Sequence, residues 1–181
     1  VRSFRAGLYC FTVFFLGILY SDRVSAEEIK YVIDGDTVVL TSETRVRLIG
    51  IDAPEVDHPE YGRKGEPYGA EATAYLRKLV EGKTVRLESG SEAEDKYGRT
   101  LAYLFLPDGL FVNRSMVEAG YAETYRRFDF IYKEEFLNLE KKARSRKIGM
   151  WQDRPEDWKN QFLHWLSSRN SHKAKPSLTD K

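Results

Sequence analysis

Ile29-Lys30-Tyr31-Val32-Ile33-Asp34-Gly35-Asp36-Thr37-Val38-Val39-Leu40-Thr41 sets two β-branched runs on either side of Asp34-Gly35. Asp-Gly is a favoured tight-hairpin pair, so the stretch predicts two antiparallel strands at the start of the folded domain. Arg45 to Ile51 alternates weakly and gives way at Pro54, which reads as a strand feeding a loop, and the Asp, His, Pro, Gly and Lys content of residues 52–67 makes that loop long and exposed. From Ala70 the period changes: Ala72, Tyr75, Leu76, Leu79 and Val80 recur at helical spacing, with Gly82 placed to close the helix. Thr84 to Leu87 and Thr100 to Phe105 are further strands, and Pro107-Asp108-Gly109 turns the chain into Leu110-Phe111-Val112. Asn113 is placed to cap a short helix closed by Gly120, and a basic helix from Tyr132 to Arg146 buries Phe136, Leu139 and Ala143. Short strands with helices inserted among them predict an α+β fold, a small closed or nearly closed barrel carrying helices.

The two ends differ in character. Arg2 and Arg5 precede an uncharged apolar run, Ala6 to Tyr20, and Val24-Ser25-Ala26 supplies small residues where a signal peptidase reads. The expectation is a signal peptide over residues 1–26 and a secreted or periplasmic protein with no stable membrane association after cleavage. An uncleaved N-terminal anchor is the alternative, disfavoured because the run falls short of roughly 17 residues. Cys10, the one cysteine, lies in that run, so the remaining chain would have no thiol and must be held by its core. A single domain of that size buries about 68 to 70% of its unfolded surface, which is enough. Past Trp151, Asp153 is placed to cap a helix from Pro155 to Leu166 with Trp158, Phe162, Trp165 and Leu166 on one face, and Ser167 to Lys181 reads as a disordered tail. The domain is therefore placed at residues 27–151, with residues 152–181 as an appended helix and tail, and the protein is expected to be a monomer.

Without residues 1–26 the charge is close to neutral, so no global basic field draws in a polyanion. Its distribution is uneven. Residues 27–60 carry nine acids and three bases, whereas residues 126–147 carry eight bases and four acids. An acidic site beside a basic flank fits a cation and a polyanion sharing one protein, although solvated helix and loop faces account for much of the same pattern.

Three strings carry the chemistry: Asp34-Gly35-Asp36-Thr37; Arg47-Leu48-Ile49-Gly50-Ile51-Asp52-Ala53-Pro54-Glu55; and Asp95-Lys96-Tyr97-Gly98-Arg99. Taken singly, each is ordinary turn composition, and exposed arginines are usually just solvated. Together, in this order, they closely resemble the staphylococcal nuclease (thermonuclease) family. The resemblance runs from about Ile29 to Trp151 and includes Tyr68-Gly69 with Glu71-Ala72 and the Gly149-Met150-Trp151 ending.

The resemblance implies an OB-type five-stranded barrel with three helices, to which the C-terminal helix is extra. It implies hydrolysis of DNA and RNA to 3′-phosphorylated products with Ca2+. By position, Asp36 and Asp52 match the family's metal carboxylates, and Ala53 stands where a backbone carbonyl is the metal contact. Arg47 and Arg99 match phosphate-binding arginines and Glu55 the proposed general base, while Asp34 acts on the metal through water at most. Arg126 and Phe128 depart from the family pattern in the region that stacks on a base, leaving Tyr125, Phe128 or Tyr132 as substitutes.

Elementary chemistry agrees. Attack on a phosphodiester builds charge on equatorial oxygens, so cations must be placed there beforehand. A divalent ion on Asp36 and Asp52 and the planar donor forks of Arg47 and Arg99 meet that need, each donor being worth roughly 3 to 4 kcal/mol. Glu55 remains to accept a proton from water. Carboxylates, a carbonyl and water suit Ca2+ without excluding Mg2+; only the resemblance favours calcium. One geometric requirement follows. Arg47 and Asp52 are an odd number of positions apart, so on a regular strand they would face opposite ways, and the strand must end or coil before Asp52.

His58, His164 and His172 have no metal-ligand spacing, and no Ser or Cys nucleophile signature is present. The competing expectation is a non-catalytic nucleic-acid or protein binding module. A calcium site serving stability alone would leave Arg47 and Arg99 unexplained.

Overall fold

A computed structural model describes residues 25–57, 62 and 64–152 of the 181-residue chain. The proposed helix at Pro155 to Leu166 and the tail beyond it lie outside those residues, as does nearly all of the proposed signal segment. No helix among the described residues is long and apolar enough to cross a membrane.

The described residues form seven strands and three helices. Strands β1 (Ser25–Asp34), β2 (Thr37–Leu40), β3 (Arg45–Leu48) and β4 (Ile51–Asp52) precede helix α1 (Gly69–Val80). Then come β5 (Thr84–Glu94), β6 (Thr100–Phe105), α2 (Val112–Glu118), β7 (Glu123–Thr124), α3 (Lys133–Ser145) and a 3-10 turn at Gly149–Trp151. Five strands close into a barrel in the order β1-β2-β3-β6-β5, with β3 and β6 parallel and the other neighbours antiparallel. The remaining two, β4 and β7, form a separate antiparallel pair. This is the expected α+β architecture, an OB-type barrel with three helices.

The hairpin at Asp34-Gly35 forms as predicted, Asp34 pairing with Thr37 across the turn. Closure of the barrel buries the β-branched residues of both arms: Ile29, Val32, Val38 and Val39 join Val46, Leu48, Val85 and Leu104. Helix α1 lays Ala72, Leu76 and Val80 on this core, and α2 and α3 add Met116, Val117, Phe136 and Leu139. Burying one such side chain contributes roughly 1.5–3 kcal/mol, so a core of this size holds a domain without disulfides.

Three local readings change. Strand β5 continues to Glu94 rather than stopping near Leu87, because β6 supplies a backbone ladder to a polar stretch whose side chains are largely exposed, with a bulge between Ser89 and Glu94. Strand β7 is too short to leave a periodic signal. Asn113 is not a cap: it lies inside α2, fully buried, and the position before the helix is Phe111.

Candidate active site

The chain must turn sharply after β3 for Arg47 and Asp52 to meet, and it does so at Gly50. This residue has φ +81°, a region that costs a residue with a Cβ, and a Cβ there would stand 2.5 Å from the Phe130 ring. The turn breaks the two-residue alternation. As a result Asp52, on the next strand, comes back to Arg47, with 2.8 Å between Asp52 Oδ1 and Arg47 Nη2. Arg47 Nη2 also donates to the Ile51 carbonyl at 3.3 Å.

Asn113 fixes the same turn from behind. Its Nδ2 donates to the Ile49 carbonyl at 2.9 Å, while its Oδ1 accepts the Leu104 N–H at 2.9 Å, tying the end of β3 to β6. Nothing in the local sequence distinguishes this role from a cap, since both use the same amide.

Asp36 completes the group from the hairpin turn. It is buried; its Oδ1 is in direct contact with the Arg47 guanidinium and accepts from Thr37 Oγ1 at 3.0 Å, and its Oδ2 accepts the Ala53 N–H at 2.9 Å. Asp34 accepts the Asp36 N–H at 3.0 Å and so shapes the turn. Burial pushes the Asp34 carboxyl above the usual carboxylate range, partly offset by Arg47. Burial also lowers the Arg47 guanidinium from its ordinary value; Asp52 and Asp34 oppose that shift, and Arg99 adds to it by like-charge repulsion. An arginine remains a cation throughout.

The loop after Asp52 is held at close quarters. Gly69 at the start of α1 packs so tightly on the Glu55 carbonyl that a Cβ would clash, and a Cβ at Gly35 would come within 2.6 Å of Ala53 Cβ. The Glu55 carbonyl accepts the Glu66 N–H at 2.8 Å, and Asp57 Oδ1 accepts the Gly65 N–H at 2.6 Å. The Glu55 side chain is exposed, two residues past Ala53, whose N–H is bound by Asp36.

Arg99 stands apart from the Asp36–Arg47–Asp52 cluster and shares a cleft with one member of it, Arg47; Asp36, Asp52, Ala53 and Glu55 do not line that cleft. Arg99 Nε and Nη2 lie 2.8 and 2.7 Å from Asp95 Oδ2, and Asp95 Oδ1 accepts the Tyr97 and Arg99 N–H groups. Burial alone would raise the Asp95 carboxyl; these bonds overcome it and leave it below its ordinary value. The shared space is a cleft of about 890 Å³ with Arg47 and Arg99 in its lining, together with Tyr125 and Phe128. Those two rings lie 5.8 Å apart, and Phe128 is 68% exposed, so both are placed to receive a flat apolar group. Tyr132 is not: it packs edge-on to Tyr103 and Phe111 and parallel to Phe136 in the core.

The structure thus gathers Asp36, Arg47, Asp52 and Ala53, sets Glu55 on the adjoining loop, and places Arg99 along the cleft. The donors offered to a metal are all hard oxygens. Asp36 and Asp52 meet different nitrogens of the same guanidinium, and their carboxylate oxygens are of the kind Ca2+ or Mg2+ takes, so the donor chemistry fits either ion. Among the described residues no three His, Cys, Asp or Glu side chains group as a metal site, which leaves a carbonyl and water to complete any coordination shell.

The class defined here is an OB-type barrel protein with a carboxylate–arginine cluster at its mouth, next to a cleft with arginine and aromatic walls. Sequence comparison carries this further: the family described as Staphylococcal nuclease homologue matches residues 45–153, and the chain belongs to that family. Strands β1 and β2, with Asp36, precede the matched range but close the same barrel. The chain is 37% identical over 129 residues to a thermonuclease of Staphylococcus intermedius, covering 68% of this chain and 74% of the relative. It is 34% identical over 124 residues to a thermonuclease of Staphylococcus hyicus, covering 66% and 72%. An uncharacterized endonuclease of Escherichia coli O157:H7 is 39% identical over 126 residues, covering 67% and 74%.

Proposed function

We propose that this chain is a secreted, calcium-dependent nuclease that hydrolyses DNA and RNA phosphodiester bonds to 3′-phosphorylated products. The reading rests above all on the convergence of Asp36 and Asp52 on Arg47 at the edge of a cleft that Arg99 also lines. Family membership and thermonuclease and endonuclease relatives support it.

Asp36 and Asp52, with the Ala53 carbonyl, would hold the divalent ion, which when bound neutralises phosphate charge. Arg47 and Arg99 present donor forks to the phosphate oxygens, where charge grows during attack. Neither guanidinium has to be ordered for the purpose, since Arg47 is seated on Asp36, Asp52 and the Ile51 carbonyl, and Arg99 on Asp95. Glu55 takes a proton from the attacking water, directly or through a second water, and its loop, packed against Gly69, limits its drift. Tyr125 and Phe128 offer stacking faces for a base, which suits a substrate with unpaired nucleotides. Residues 1–26 direct export in this account.

The test is cleavage of DNA and RNA oligonucleotides by the purified chain in Ca2+, in Mg2+ and in chelator, with end-group analysis. Products carrying 3′-phosphate in Ca2+ and none in chelator are expected. Folded protein that cleaves nothing, or cleaves equally well in chelator, overturns the reading and favours a binding module.

A further inference from the structure

The pair β4–β7 is only two residues long on each side, yet it carries Asp52. Isolated two-stranded pairs are marginal in water, and this one lies outside the barrel ladder. Its inner edge is joined conventionally: Ile51 stands opposite Thr124, Asp52 opposite Glu123, and the Tyr125 N–H donates to the Gly50 carbonyl at 2.9 Å. The backbone groups of Thr124 point the other way, where a third strand would be expected. Two side chains meet them there. The Thr124 N–H donates to Glu140 Oε2 at 3.0 Å, and the Thr124 carbonyl accepts from Arg126 Nη1 at 2.9 Å.

Those side chains are themselves locked together. Arg126 Nη2 reaches both Glu140 oxygens at 2.9 Å, Arg144 holds Glu140 Oε1 at 2.6 Å, and the Glu140 side chain is only 2% exposed. Glu140 projects from α3 in the buried stripe of Phe136, Leu139 and Ala143, so the helix fixes where it stands. Such a carboxylate is costly to bury, and the bonds it makes are spent on the outer edge of the strand that pairs with the Asp52 strand.

We propose that Glu140 and Arg126 are a positioning pair for the active site: they replace a strand neighbour along β7 and thereby hold Asp52 against Arg47 and Tyr125 at the cleft. The inference deepens the nuclease reading and rests on it for the catalytic consequence. It acts through β4 and β7, since neither side chain lines the cleft.

Arg126→Ala tests it, because that side chain is half exposed and its loss leaves Glu140 with Arg144. Hydrogen exchange on the purified full chain should show the Tyr125 amide opening on the order of tenfold faster, while the Leu104 amide inside the barrel keeps its rate. Cleavage of a DNA oligonucleotide, counted per folded molecule, should lose on the order of 100-fold in kcat with KM little changed. Arg126→Lys, which can reach the Thr124 carbonyl with one donor, should recover part of both. Tyr125 exchange unchanged in folded Arg126→Ala overturns the proposal, as does wild-type kcat per folded molecule. A wild-type chain that cleaves nothing defeats the nuclease reading instead, and Tyr125 exchange then still decides whether the pair holds β7.

Discussion

Two clusters of carboxylates and guanidiniums flank the β4–β7 pair, and they are balanced differently. Around α3, Glu123 and Glu140 meet Arg126 and Arg144, two acids with two bases. At the barrel mouth, Asp36 and Asp52 share Arg47, with Asp34 close enough for its charge to be felt, so the acids are in excess. The balanced cluster has its demands met within the protein and serves architecture. The unbalanced one has negative charge left over beside a cleft, where a divalent cation can complete it. Charge count separates the two better than burial does, since each contains a carboxylate with almost no exposure.

The difference can be broken from either side. Glu140→Ala removes the carboxylate that Arg126 and Arg144 share and leaves the buried Thr124 N–H without its acceptor, while Glu123 still faces both guanidiniums; it should cost roughly 1–3 kcal/mol of stability, read from the urea midpoint. Arg47→Lys and Arg99→Lys replace a fork with a point charge, and each should lower kcat by about 10²–10³-fold, read under single-turnover conditions. Retained activity in either would sink the clamp. Glu55→Gln should fold normally and keep its metal affinity while losing about 10²–10⁴-fold in turnover, because the general base alone is gone. Unchanged turnover would remove Glu55 from the mechanism.

The balanced cluster also predicts a pH signature. Burial alone would raise the Glu140 carboxyl, but Arg126, the Thr124 N–H and Arg144 together leave it below its ordinary value. A depressed carboxyl contributes stability that is fully present above its unfolded value, about 4.3, and that fades as pH falls through the lower folded value. Glu140→Gln should therefore lose more stability near neutral pH than in strong acid, and a pH-independent loss would contradict the assignment. The smallest effect is expected at Phe128→Ala, where a lost stacking face should weaken single-stranded substrate by about 1–3 kcal/mol, seen in KM.

Much of this molecule is readable before folding. Asp34-Gly35 and the α1 stripe are local signals, decided by turn chemistry and helical period, and both appear where expected. The three motif strings also locate Asp36, Arg47, Asp52 and Arg99. Whether Arg47 and Asp52 could meet depended on backbone shape at Gly50, which the residue permits but tertiary packing against Phe130 decides. Asn113 reads as a cap because its amide suits either task, and only the parallel approach of β3 to β6 reveals the other. Strand β7 and the polar half of β5 owe their form to partners distant in sequence. Glu140 did leave a trace, an acid within the buried stripe of a helix four residues after Phe136 and three before Ala143.

The most direct test is a calorimetric Ca2+ titration of the wild-type chain beside Asp52→Asn. Asp52 is 61% exposed on its side chain, so the substitution should leave thermal stability nearly unchanged. Wild type should bind Ca2+ saturably, and the variant should bind it far more weakly. No saturable binding by folded wild type, or identical isotherms for the two, would contradict the claim that the acid excess at the barrel mouth is a cation site.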